Sequence, residues 1–381
     1  MLRVEVHPDL LRWARDRSGF SMDTLTRRFP KLDAWENRKA LPTLKQLEDF
    51  AKATHTPIGF LFLQVPPVER VPIPDFRTVA SARMERPSPD LLDIIYLCQQ
   101  RQDWYRNYAL AMGDEPRDFV GSAKCTANVV ATAQEIRDRL ALDLDGRKRT
   151  ATWEEALRQL LEQVDAIGVL VMVSGVVASN NTRKLDPEEF RGFALCDDLA
   201  PLIFVNGADS KAAQMFTVAH ELAHIWLGET AVSDAEASTV PEHAVERWCN
   251  QVAAELLVPL AAMRAEYDRT ASLEDETKRL ARVFKVSTLV ILRRIFDAGG
   301  LSREAFWRAY RAELLRLRVM NKGSGGDFYL TLGARVGKTL ARAIVTSALE
   351  GRTSFTEAFR LLGFKKMSTF DELGKQLGVV I

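Results

Sequence analysis

One stretch limits what this chain can fold into: Phe216-Thr-Val-Ala-His220-Glu221-Leu-Ala-His224-Ile-Trp-Leu-Gly228. Asp209 or Ser210 can cap a helix there. Phe216, Ala219, Ala223 and Trp226 give it apolar sides, and Gly228 can stop it. On a helix, positions 220 and 224 lie one turn apart on the same face, so two imidazoles can reach one metal ion. Glu221 is turned about 100° round the axis, from 3.6 residues per turn. It can stand beside the metal without binding it and take a proton from an activated water. Two histidines spaced by four on a surface would read the same way in isolation. Here, however, two of the chain's 5 His flank a Glu inside an apolar helix.

A water-activating zinc needs a third protein ligand and an open fourth position. A further His at 230 would complete one known spacing, but that residue is Thr230. The next helix reads from Pro241 to just before Pro259. Glu246 lies on it, with Asn250 one turn further along the same face, suited to hold a ligand His from outside. Val245, Cys249, Val252, Ala253 and Leu256 read as its packed face. Glu242, Glu255 and His243 are rivals to Glu246. The two rival glutamates read more simply as solvated helix charges, as on spacing alone does Glu246.

Four segments together resemble the ImmA/IrrE-type metallopeptidases: Phe190-Arg-Gly-Phe-Ala194, Ala200-Pro-Leu-Ile-Phe-Val-Asn206, the His-Glu-x-x-His stretch, and Glu246-Arg-Trp-Cys-Asn-Gln-Val-Ala-Ala-Glu-Leu-Leu-Val-Pro259. The resemblance covers roughly residues 160–300. It implies a zinc endopeptidase with His220, His224 and Glu246 as ligands and Glu221 as general base. It also implies a protein substrate, such as a DNA-binding repressor or a toxin–antitoxin partner in a stress response. The oxyanion-stabilising group is unassigned, with His243 or a tyrosine as candidates.

Length and charge set the wider frame. A chain of 381 residues, 47% hydrophobic, is expected to hold two or three domains with a substantial core. Its 52 basic and 51 acidic residues nearly cancel, which argues against a protein dominated by nucleic-acid electrostatics. No apolar run is long enough for a membrane span, and no signal-peptide pattern opens the chain. Cys98, Cys125, Cys196 and Cys249 are scattered and read as reduced, mostly buried thiols of a cytoplasmic protein.

Residues 1–64 read as four short helices. The pattern Leu11, Ala14, Gly19, Ser21, Leu25, Trp35, Pro42, Thr43, Leu47, Ala51 resembles the Xre-type helix-turn-helix, which would place one helix in a DNA groove. Arg27, Arg28, Lys31, Arg38 and Lys39 are the candidate phosphate contacts. The segment between Thr26 and Glu36 is short for that fold and carries Pro30, so a protein-binding helical domain is the competing reading. Residues 65–88 follow as a proline-rich extended linker, part of which can lie across a domain surface.

A long helix is expected over 89–113, packing through Leu92, Ile95, Tyr96, Tyr105 and Leu110. Trp104 and Tyr105 with Arg101 and Arg106 could stack bases, though helix packing explains them better. Helices near 131–142 and 152–166 precede strands at 168–173, 190–196 and 201–205. Residues 277–294 read as a helical hairpin capped by Ser287 rather than a second DNA-binding motif. A turn follows at 321–327. Gly333-Ala-Arg-Val-Gly337-Lys338-Thr339 has one residue too few between its glycines for a phosphate-binding loop.

The expected fold is α+β and mainly helical: a zincin-like peptidase domain over 89–300, flanked by small helical domains at 1–64 and 301–381. The expected function is zinc-dependent peptide hydrolysis. The alternative is a DNA-binding regulator or antitoxin whose metal site is structural or idle.

Overall fold

A computed structural model of the chain describes residues 3–75, 87–233, 243–320 and 335–379. Pro241, Glu242, Phe76 and the 321–327 turn lie outside these residues. The described chain is mainly helical with one small sheet, and it divides into two compact units.

The first unit comprises residues 1–72 with 84–93. Its helices are α1 (Pro8–Ser18), α2 (Met22–Arg28), α3 (Leu32–Glu36) and α4 (Leu44–Ala53). The caps follow the sequence. Ser21 accepts from the Thr24 N–H, and Thr43 with Gln46 forms a reciprocal capping box. Gly19 ends α1 at φ 69°, a left-handed conformation that costs glycine little. Leu10, Leu11, Leu25, Leu32, Trp35, Leu47 and Phe50 form the core. Glu36 is buried with them and accepts from Arg15 at 2.8 Å.

The second unit comprises 73–83 and 94–381. It takes in most of α5 (Pro89–Met112), then α6 (Val129–Leu140), α7 (Leu144–Arg149) and α8 (Trp153–Ala166). The strands β1 (Leu170–Ser174), β2 (Gly192–Leu195) and β3 (Leu202–Asn206) lead into α9 (Lys211–Leu227). Next come β4 (Ala231–Ser233), α10 (Ala244–Leu257), α11 (Leu260–Glu266), α12 (Leu273–Phe284), α13 (Thr288–Asp297) and α14 (Arg303–Met320). The last helices are α15 (Lys338–Leu349), α16 (Phe355–Leu362) and α17 (Met367–Gln376).

The sheet order is β1-β3-β2-β4. β1 and β3 are parallel, while β2 runs antiparallel to β3 and β4. β3 is apolar up to Asn206 because both of its faces are covered. Val171, Ala194, Ile203 and Val205 join the core around α9. On β1, Met172 meets Cys98 and Arg101 of α5, while Phe193 and Phe204 stack at 5.0 Å.

α9 is buried from Gln214 to Trp226 on every side, which marks it as the central helix rather than an amphipathic surface one. Each fully buried Leu, Ile or Phe in such a core contributes about 1.5–3 kcal/mol. α10 packs along it through Cys249, Val252, Ala253 and Leu256, as the sequence pattern predicts. Two buried guanidinium groups close the far end of α10: Arg137 donates to the Glu255 carbonyl at 2.7 Å, and Arg147 donates to the Leu257 carbonyl.

Several sequence expectations change here. Tyr96 and Leu110 are exposed, because α5 carries apolar residues on more faces than it buries. Trp104 stacks on Tyr108 and Arg106 pairs with Asp197, so that group serves local packing. α12 and α13 form a hairpin with Ser287 as its cap and Arg294 buried. Lys338 pairs with Glu162 at 2.8 Å and Thr339 donates to Asp165, which ties α15 to α8. α7, α11 and β4 have no counterpart in the sequence reading.

Candidate metal centre

The centre is built from α9 and α10. Ser210 starts α9 by accepting from the Ala213 N–H, and Gly228 ends it at φ 72°. One helical turn sets His220 and His224 on the same side, with their Nε2 atoms 3.1 Å apart. α10 folds back so that Glu246, in its first turn, completes a triangle. The Glu246 carboxylate lies 3.2 Å from His220 Nε2 and 3.0 Å from His224 Nε2. In a tetrahedral zinc site with bonds of about 2.0–2.1 Å, neighbouring ligand atoms stand about 3.3 Å apart. Two imidazole nitrogens and a carboxylate that meets each of them through a different oxygen, at about this spacing, fit that ion.

The side chains around the triangle orient it. Asn250 Oδ1 faces His220 Nδ1 at 2.9 Å. A carbonyl oxygen there fixes the proton on Nδ1 and turns the Nε2 lone pair into the cluster. Glu221 lies beside the triangle, close enough to feel both imidazoles, and reaches the sheet. Across three strands, Val205, Gly192 and Ser233 stand in register. The Ser233 hydroxyl donates to Glu221 Oε1. Gly192 gives the carboxylate room: a Cβ there would lie 2.5 Å from Thr217 Cγ2, 2.8 Å from the Phe204 carbonyl and 3.1 Å from Glu221 Oε1. The second oxygen, Glu221 Oε2, has no hydrogen-bond partner among the described residues.

The cluster is dry. His220, Glu221 and His224 are 0% exposed and Glu246 is 3% exposed. Burial pushes the Glu221 carboxyl upward, against the pull of the two imidazoles and Ser233. Burial acts on Glu246 in the same sense, but His220 and His224 override it and hold the group at about 2. Burial opposes a charged His220, yet the Glu246 carboxylate outweighs it and the imidazole rises above its ordinary value. A divalent cation is the complement to this arrangement of two carboxyl groups and two imidazoles.

Of the sequence candidates, His220, His224, Glu246 and Asn250 come together, with Glu221 adjoining. Glu255 does not belong to the cluster, nor is it a solvated charge. It is buried, pairs with Arg294 of α13 and accepts from the Leu260 N–H at 3.2 Å. His243 stands exposed at the start of α10. Arg27, Arg28, Lys31, Arg38 and Lys39 are all exposed on the first unit, around an α3 of 5 residues. Ser233 and Gly192 are the neighbours of Glu221 that the sequence reading did not assign. Cys196 and Cys98 are thiols that burial pushes up to about 12, so neither is an activated nucleophile.

The family model of the IrrE N-terminal-like domain (Peptidase_M78) matches residues 164–296. That span runs from the end of α8 to α13 and holds the whole sheet, α9 and α10. It supports a metallopeptidase of the ImmA/IrrE type. A second model, a domain of unknown function (DUF8813), matches residues 336–376, which hold α15–α17. No curated protein matches the chain. No helix among the described residues is long and apolar enough to cross a membrane.

Proposed function

We propose that this chain is a zinc-dependent endopeptidase with a zincin-like catalytic domain. The observation that carries the reading is the buried triangle of His220, His224 and Glu246 with Glu221 at the next helical position. His220, His224 and Glu246 would hold the ion. Bound zinc supplies a Lewis acid for the scissile carbonyl and brings the pKa of its water near neutrality. Asn250 holds the His220 ring in the tautomer that offers Nε2. Glu221 takes the proton of the attacking water and hands it to the leaving amine. The upward push of burial moves Glu221 toward the range in which a carboxyl can both accept and return a proton.

The substrate in this proposal is a cytoplasmic regulatory protein: a DNA-bound repressor or an antitoxin-like partner in a stress or toxin–antitoxin response. The first unit, Xre-like in its helix pattern, would recruit that partner or bind DNA. A second reading rests on the exposed basic side chains of Arg27, Arg28, Lys31, Arg38 and Lys39. In it the chain is a DNA-binding regulator or antitoxin and the metal is structural.

Glu221→Gln separates the two. It keeps size and hydrogen bonding but cannot accept the proton. Zinc content and partner binding should stay at wild type, while cleavage should fall by about 10²–10⁴-fold. A zinc-loaded, folded Glu221→Gln chain that retains the full cellular effect would sink the peptidase and leave the binding reading.

A further inference from the structure

The cluster described above is closed to a polypeptide: its donors and base are 0–3% exposed. The chain's own backbone does part of the closing. Among the described residues β4 pairs with β2 through Ala231–Ser233 against Gly192–Ala194. On the outer side of β4 lies part of the proline-rich segment. Asp75 bridges Val232 in the parallel sense, and the Val232 N–H donates to the Pro74 carbonyl at 2.9 Å. Ile73 is buried, while Pro72 and Pro74 on either side of it are exposed. Proline has no N–H, so Pro74 extends the sheet edge no further.

We propose that Ile73–Asp75 and β4 form a two-strand cover over Glu221, and that an extended peptide reaches the site only when this cover unpairs from β2. The inference rests on the peptidase reading for the identity of what enters. Two observations point to these strands. β4 carries Ser233, whose hydroxyl occupies one oxygen of the base. On its outer side, among the described residues, it meets the linker through the bridge to Asp75 and the Pro74 hydrogen bond. Once β4 leaves, the exposed edge of β2 offers unpaired N–H and C=O groups beside Glu221, the kind of edge that accepts an extended strand. Ile73 acts as the latch. Among the described residues of the linker segment its side chain is the buried apolar anchor, and it belongs neither to the ligand set nor to the base.

The test uses the full zinc-loaded chain. Ile73→Ser should speed zinc loss to excess EDTA by at least about tenfold, the scale of losing one buried aliphatic anchor. It should also speed hydrogen exchange at the Val232 amide. A folded Ile73→Ser chain that sheds zinc at the wild-type rate would overturn the cover. If the variant does not fold, the wild type decides, at a pH where amide exchange follows the opening rate itself. Zinc loss faster than Val232 exchange overturns the cover, and loss no faster supports it. The peptidase reading fails separately: faster zinc loss with no cleavage of any peptide keeps the cover and removes the enzyme. Cleavage in both chains with unchanged zinc loss keeps the enzyme and removes the cover.

Discussion

The two ends of α10 carry buried glutamates with opposite fates. Glu246 meets two imidazoles, groups that can lose their charge. Glu255 meets Arg294, which cannot, and the Leu260 N–H. Both carboxyl groups are nearly as deep as each other, at 3% and 5% exposed. Depth therefore does not mark the end proposed to bind metal. What marks it is that the partners of Glu246 can release their protons to a metal, whereas the partner of Glu255 already supplies a permanent charge. A buried carboxylate with a fixed counter-ion is finished structure, and one with titratable counter-ions has capacity left for a ligand.

The comparison breaks most sharply under paired substitution. Glu246→Ala should cut zinc affinity by more than the roughly 10–100-fold seen for an outer partner, because a ligand itself is lost. Glu255→Gln should leave zinc affinity near wild type and lower stability by less than the about 3–5 kcal/mol of a fully stranded buried charge, since Arg294 keeps Asp297 at 3.3 Å. Chelator competition and denaturant titration read the two effects separately. Zinc loss in Glu255→Gln with retention in Glu246→Ala would reverse the assignment.

A smaller effect is expected at Asn250. Asn250→Ala removes the carbonyl that fixes the His220 tautomer, and zinc affinity should fall by about 10–100-fold. An unchanged affinity would show that His220 is oriented by packing against Phe216 and α10 alone.

The smallest effect is a pH slope. His220 in the metal-free protein binds its proton more tightly than the ordinary value of 6.5, so zinc must displace that proton. Zinc affinity should therefore weaken as pH falls, starting above 6.5, by about tenfold per unit for one proton displaced. Glu246, already ionised down to about 2, adds nothing to the slope near neutrality. Calorimetry in buffers of different ionisation heats counts the protons released. A flat affinity between pH 6 and 8 would contradict the raised His220.

The legible and illegible parts of the site divide along the same physical line. His220, Glu221 and His224 were readable because helical periodicity is local. Asn250 followed from Glu246 by one turn of the same helix. Ser233 and Gly192 were not assigned, because their importance comes from pairing across β2, β3 and β4, and register between strands leaves no mark in a single sequence. Glu255 looked solvated for the same reason, its partner Arg294 being 39 residues away. Fold class was legible in the apolar run of β3 and the capped helices. The exposure of Tyr96 and Leu110 was not, since which sides of α5 are covered depends on tertiary neighbours.

The register of Gly192 with Ser233 and Val205 has one more consequence, and it concerns assembly. The three donors of the triangle lie on α9 and α10, between residues 220 and 246. Contacts of such short sequence separation form early, because little chain entropy is lost in closing them. The pocket for Glu221 must wait for β2 and β3 to dock against α9 and for β4 to return to β2. Metal-binding power and catalytic competence are thus separable stages of maturation. A chain halted after the first would hold its ion with the base still unplaced.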